Sequence, residues 1–358
     1  MESRQPALQL DDMWGGSLTR KPVVKPAGVW LCGRLTEKAA AGLATGSRVL
    51  PTRPTWVHMR SSKGMRIAVV GLGFMGGVHL RAWRKMPGVE VAIVSRREHA
   101  GTGNLPGEPL DLSGIERYPD IDSALADPRV EAVDLCLPTP LHEEAAIRAL
   151  RAGKHVLVEK PMAPTVAACE RMIEEAKRAG RVLMVGHVLR FFPAYRALMD
   201  RDFGEPCLAT FRRRCERPEW MKWETGGAVL DLLIHDFDMV LALFGWPCEI
   251  EASGSGDLIK ARLGYDGFAV EVVGGWHPGK FPITMKYRVV GSRATMEYSF
   301  NDEPPPSRDP FAEEIAYFAE CVRTGREPER CRPEASAEAV RLALAVIEAR
   351  KRGAWKSA

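Results

Sequence analysis

No apolar stretch in this sequence approaches the roughly 18–20 residues that a bilayer-spanning helix needs, so no membrane span and no membrane partner are expected. The opening residues, MESRQPALQLDD, are polar and acidic and lead into no apolar core, so a secretory signal is not expected. Cysteine occurs without pattern. Eight are scattered at 32, 136, 169, 207, 215, 248, 321 and 331, with no C-x-x-C pair. Neither a zinc site nor a disulfide framework follows from that spacing, so no metal is expected and a reducing cytoplasm is the default. Charge of one sign is also missing from most of the chain. Residues 1–64 hold 10 Lys/Arg against 4 Asp/Glu, and the other 294 hold 40 against 42. The body therefore offers no basic surface for a phosphate backbone, which argues against a nucleic-acid partner.

What is present fits a globular protein. Apolar residues make up 46% and charged residues 27%, and 358 residues exceed one ordinary core, which points to two domains plus an extension. Residues 1–64, rich in Arg, Lys, Pro, Gly and Ser, hold no sustained apolar period and read as a disordered basic extension, with Met65 as the start of the folded part.

From Met65 the grammar changes. MRIAVV at 65–70 is the continuous apolar run of a buried parallel strand. A glycine turn, a helix through His79–Lys85 and a strand at Val89–Val94 follow. Further helices are expected at Ile121–Ala126, Leu141–Ala152 and Val166–Ala179, and strands at Ala132–Leu137, His155–Val158 and Arg181–Val185. This alternation predicts a doubly wound parallel sheet over 65–185. Over 186–335 extended segments with glycine turns predominate. They predict an α+β domain with a large, mostly antiparallel open sheet, interrupted by one long helix at Ala228–Phe244. Helices follow at Pro310–Thr324 and Ser336–Arg352, the last within a 336–358 segment expected to pack back near the first domain. An exposed sheet face normally needs covering, so a homodimer or homotetramer is expected.

Gly71-Leu72-Gly73-Phe74-Met75-Gly76 matches G-x-G-x-x-G, directly after a buried strand and at the start of a helix. In that context Gly71 permits the turn, Gly73 lets a pyrophosphate reach the backbone, and Gly76 lets helix and strand pack closely. The helix N-terminus, with Phe74 and Met75, then faces the phosphates. A dinucleotide is therefore the expected cofactor. At the end of the second strand, Ser95-Arg96-Arg97 stands where a ribose-binding carboxylate would identify NAD. A hydroxyl and two guanidiniums suit a 2′-phosphate, so NADP(H) is favoured, with NAD(H) as the other option.

Glu159-Lys160-Pro161 closes the strand at 155–158, at the carboxyl edge where open α/β sheets bind ligands. A lysine there suits proton transfer over a nicotinamide. Asp231 and His235 stand four apart on the long helix, on one face, just after Gly226-Gly227. An acid–base pair, a local structural pair and a metal pair are all compatible with that spacing.

Together these stretches resemble the Gfo/Idh/MocA oxidoreductases over about 290 residues from Met65 onward. The similarity is carried by IAVVGLGFMG, LPTPLHEEAAIRALRAGKHVLVEKP, VGHVLRFFPAY and GGAVLDLLIHDFDMVLALFG. The resemblance implies Lys160 as catalytic lysine, with Asp231 and His235 completing the acid–base set and Asp231 holding the histidine. It implies Pro138, Thr139, His142 and Glu159 along the nicotinamide half, and Arg190, Phe191 and Trp220, with the catalytic three, around a sugar, cyclitol or polyol substrate. Hydride transfer between that small molecule and the nicotinamide is the expected reaction. A glycosidase that uses its cofactor transiently and a non-catalytic nucleotide-binding sensor stand as alternatives on the same fold.

Overall fold

The computed structural model describes residues 64–95, 111–218, 226–254 and 257–353. The first half is a six-stranded sheet of β1 (Met65–Val70), β2 (Val89–Val94), β3 (Glu116–Tyr118), β4 (Ala132–Leu135), β5 (His155–Glu159) and β6 (Leu183–Gly186), in the order β3-β2-β1-β4-β5-β6. Every pairing in it is parallel. All six residues of β1 are buried, as a strand covered by helices on both faces requires. Four helices connect the strands: α1 (Phe74–Arg84), α2 (Ile121–Ala126), α3 (His142–Arg151) and α4 (Val166–Ala179). Helix α4 is bounded by its own chemistry. The Thr165 hydroxyl accepts from the Ala168 N–H, and Gly180 ends the helix at φ 60°. Strand order reverses between β1 and β4, so a crevice opens at the carboxyl ends of those two strands.

The second half begins with α5 (Pro193–Met199) and β7 (Pro206–Glu216), followed by α6 (Gly227–Asp231) and α7 (Ile234–Phe244). Then come β8 (Glu249–Ser253), β9 (Leu258–Gly264), β10 (Ala269–His277), β11 (Thr284–Gly291) and β12 (Thr295–Ser299). The sheet order is β12-β11-β7-β10-β9-β8, with β7 and β10 parallel and the other pairs antiparallel. Its inner face buries Phe211, Val270, Val272, Tyr287 and Val289 in one cluster with Leu233, Phe237 and Val240 from the helical segment. The outer face is not apolar. Lys260–Glu271, Arg262–Glu251 and Arg288–Glu297 pair across it at 3.0, 3.3 and 2.7 Å. Helices α8 (Pro310–Thr324) and α9 (Pro333–Gly353) finish the described chain. Helix α9 packs on α4 and β6 of the first half and on α7 and β8 of the second.

Several details depart from the sequence expectation, among them strand β3 and helix α5, which it did not include. Helix α1 starts at Phe74, five residues before the expected His79, because its glycine-rich first turn is helical. The single helix expected at Ala228–Phe244 is two helices. The N–H groups of Leu232 and Leu233 both turn back to the Ala228 carbonyl, which ends α6 before α7 begins. The expected extension at 1–64 lies outside the described residues, apart from Gly64.

Candidate active site at the carboxyl edge of the parallel sheet

Three loops meet the crevice: the turn after β1, the segment after β4 and the segment after β5. Gly71 sits at φ +94°, and a Cβ on it would stand 2.6 Å from the Cys136 carbonyl oxygen. A Cβ on Gly76 would stand 1.9 Å from the Gly71 carbonyl oxygen, so strand, turn and helix close on one another only with glycine here. Gly73 is different. It caps α1 in an extended conformation, and no atom lies within 4 Å of where its Cβ would be. That open space, before the unpaired N–H groups of the first turn and beside half-buried Phe74 and Met75, fits the approach of a dinucleotide pyrophosphate. Ser95 follows β2, its carbonyl accepting from Arg117 at 3.4 Å. Arg96, Arg97 and Trp220 lie outside the described residues.

Lys160 follows β5 directly. Its Nζ donates to the carbonyl oxygen of Asp231 at 2.8 Å and to the carboxylate Oδ1 at 3.2 Å. The helix break explains the first contact: α6 ends at Asp231, and its last carbonyl is there for the lysine to cap. Both side chains keep a fifth or less of their surface exposed, 16% and 19%. The Asp231 carboxylate thus contacts Lys160, a partnership not assigned to it from the sequence. Nδ1 of His235 is buried without a hydrogen-bond partner. Burial, helped by the positive fields of Lys160, Arg213 and His187, pushes His235 well below the usual histidine range, so the ring is neutral at neutral pH.

Other expected residues hold the site from beneath. Glu159 is 5% exposed, and its Oε2 accepts from the Lys160 N–H at 3.0 Å. His142 is buried, with Nε2 2.8 Å from the Leu137 carbonyl and Nδ1 3.0 Å from that of Pro161, so it braces the loops after β4 and β5. Pro138 is exposed and Thr139 half-buried at the crevice. Arg190 and Phe191 are packed against other side chains of the fold. Arg190 makes a two-pronged pair with buried Asp238 at 2.8 and 2.7 Å and donates to the Arg330 carbonyl at 2.9 Å. Phe191 is 1% exposed and packs on Tyr317, with the Arg330 guanidinium over its ring.

Cys215 and Trp276 were absent from the sequence-based site. The parallel register of β7 and β10 sets them side by side. Cys215 lies in the field of Asp231 and Lys160, and burial pushes its thiol up to about 11. Trp276 is 1% exposed with an unpartnered indole N–H. Sheet register joins residues 61 apart and leaves no local signature. Beneath α1, His79, Asp134 and Cys136 bring three donor atoms within 4.8 Å, a grouping that metal sites also show. Here Asp134 already accepts from Trp83 Nε1 at 2.7 Å and from His79 Nδ1 at 2.9 Å, and burial keeps the Cys136 thiol protonated. These donors are engaged with one another.

Comparison with known proteins agrees with this fold. Residues 65–187 match the family model described as "Oxidoreductase family, NAD-binding Rossmann fold", and 196–357 match "Oxidoreductase family, C-terminal alpha/beta domain". A myo-inositol 2-dehydrogenase from Thermotoga maritima is 32% identical over 57% of this chain, a stretch spanning 62% of that enzyme's length. A scyllo-inositol 2-dehydrogenase (NAD(+)) from Bacillus subtilis is 27% identical over 74% of this chain and 88% of its own. Among solved structures, a UDP-N-acetylglucosamine 3-dehydrogenase from Acidithiobacillus ferrooxidans superposes with a TM-score of 0.70 at 23% identity. The match covers 81% of this chain and 98% of that one, and shows the shared fold.

Proposed function

The chain belongs to the GFO/IDH/MocA oxidoreductase family, and from that premise we propose that it is an NAD(P)-dependent dehydrogenase acting on a CH–OH group of a sugar, cyclitol or related polyol. The observation carrying the proposal is the Lys160–Asp231 pair, with neutral His235 in its field, on the sheet edge that also bears the glycine turn. Neutral His235 is suited to take the proton of a substrate hydroxyl. Lys160, oriented by the Asp231 carbonyl and carboxylate, is suited to hold the same oxygen as its charge develops. Bound nicotinamide supplies hydride acceptance, and reduction follows the reverse path. Trp220 is retained as a pocket residue. NADP(H) is the favoured cofactor on the chemistry of Ser95-Arg96-Arg97, although the Bacillus relative's name specifies NAD(+). The names of these relatives give no support to the glycosidase or the sensor.

Among the described residues no helix is long and apolar enough to cross a membrane. A reducing, cytoplasmic setting remains our proposal, on the unpatterned spacing of the cysteines in the sequence. The test is a fluorescence titration of nucleotide-stripped protein with NADPH and NADH, followed by absorbance at the nicotinamide band with myo-inositol, scyllo-inositol and UDP-N-acetylglucosamine. Tighter NADPH binding and reduction of the cofactor by one of these are expected. Lys160→Ala should lower turnover by about 10²–10⁴-fold while nucleotide binding persists. Absence of turnover across a broad polyol panel would sink the dehydrogenase reading, and tighter NADH binding the 2′-phosphate reading.

A further inference from the structure

Under the crevice lies a group of buried ionisable side chains that the proposed chemistry does not use. His79 of α1, Asp134 of β4 and Glu314 of α8 have no exposed surface, and Glu159 of β5 has 5%. Nδ1 of His79 faces both carboxylate oxygens of Asp134, at 3.1 and 2.9 Å. Its Nε2 lies 3.0 Å from Glu159 Oε1, a close charge contact whose angle falls outside hydrogen-bond geometry. The second oxygen of Glu159 accepts the N–H of Lys160. One imidazole thus spans the helix of the glycine turn and the two strands whose ends carry the crevice loops.

We propose that His79 is a positioning residue: clamped by Asp134, it fixes Glu159, and through Glu159 it fixes the backbone from which Lys160 reaches Asp231. This rests on the dehydrogenase reading for its effect on turnover. The protonation pattern agrees with the geometry. Complete burial alone would lower His79, but the Asp134 carboxylate outweighs it and holds the ring well above the usual histidine range, as an imidazolium. Burial holds Glu314 well above the usual carboxylate range, with Glu159 and Asp134 reinforcing the effect against the opposing pull of His79. Neither Glu314 oxygen has a partner, and it remains a neutral acid. The positive ring therefore sits between two carboxylates with an uncharged third beside it. A histidine that only joined α1 to β4 would need Asp134 alone, whereas this one also faces the residue that precedes Lys160.

Two substitutions separate the two sides of the ring. In His79→Asn the amide reaches only as far as Nδ1 and keeps the Asp134 contact. In His79→Gln it reaches the place of Nε2 and keeps a donor toward Glu159. We expect H79N to lower kcat at least tenfold on myo-inositol, with nucleotide Kd within about twofold of wild type, and H79Q to keep at least a third of kcat. Acylation of Lys160 by acetic anhydride, followed by peptide mass spectrometry on the full chain, reads the same effect without turnover. Its rate should rise several-fold in H79N and little in H79Q. Asp134→Asn, which keeps the shape but removes the counter-charge, should raise Lys160 acylation about threefold and serves if H79N does not fold. Wild-type protein that turns over no polyol would refute the dehydrogenase reading alone, since acylation still reports on His79. Lys160 acylation unchanged in H79N and D134N, or equal changes in H79N and H79Q accompanied by loss of nucleotide affinity, would overturn the positioning role.

Discussion

At the scale of single residues, chemical type was legible and partnership was not. Lys160 could be singled out because it follows an apolar strand at the ligand-binding edge, a local pattern. Arg190 looked equally suited to a pocket, yet its fork is committed to Asp238, 48 residues away. Arg190→Ala should therefore cost about 3–5 kcal/mol of stability, as removal of one partner from a buried pair does, measured by urea unfolding. A variant of wild-type stability but weakened substrate binding would restore the pocket assignment. Glu314 gives a second prediction, one of sign. Its folded-state pKa is raised by burial, so as pH rises past the ordinary carboxylate range the unfolded chain loses a proton that the folded chain keeps. Stability is lost over that interval. Glu314→Gln removes the loss, and its melting temperature relative to wild type should climb between pH 5 and pH 8. A difference that does not change with pH would show the acid to be ionised in the fold.

At the scale of elements, the glycine turn is the most instructive. Gly73 has φ −75° and free space around it, whereas Gly76 has none. Gly73→Ala should leave the melting temperature within about 1 °C and weaken nucleotide binding at least tenfold, since the methyl stands where a pyrophosphate would approach. Gly76→Ala should instead destabilise the fold itself, because its methyl meets the backbone of β1's own turn. Equal effects of the two on melting would contradict the assignment of that space to a ligand. The alternation of parallel strands and helices was readable because each obeys its own short period. The break between α6 and α7 was not. Leu232 and Leu233 are good helix formers in an apolar stripe, and only the double return to the Ala228 carbonyl ends the helix there. Lys160 gains the Asp231 carbonyl from that break, so the sequence understated how the two halves of the site are joined.

At the scale of the whole molecule, the exposed face of the second sheet was the reason to expect an oligomer, and that face is polar. The outer face of the second sheet carries charges that pair with one another across its strands. A homodimer or homotetramer remains our proposal, and one formed on this polar face would rest on charged and polar contacts between copies. Light scattering should then show a particle of two or four chains that dissociates as salt rises toward 1 M. A monomer at micromolar concentration in dilute buffer would end the proposal.

The buried group around His79 also bears on modularity. The two family matches meet between residues 187 and 196, which invites exchange of the first half for that of a relative. Glu314 belongs to the second match by position, yet its electrostatic neighbours His79, Asp134 and Glu159 belong to the first. A chimaera joined at that boundary would pair a neutral acid from one parent with an imidazolium selected by another. Recombination that respects the fold's visible seam would still cut this charge cluster, and a working hybrid must carry α8 along with the parallel sheet.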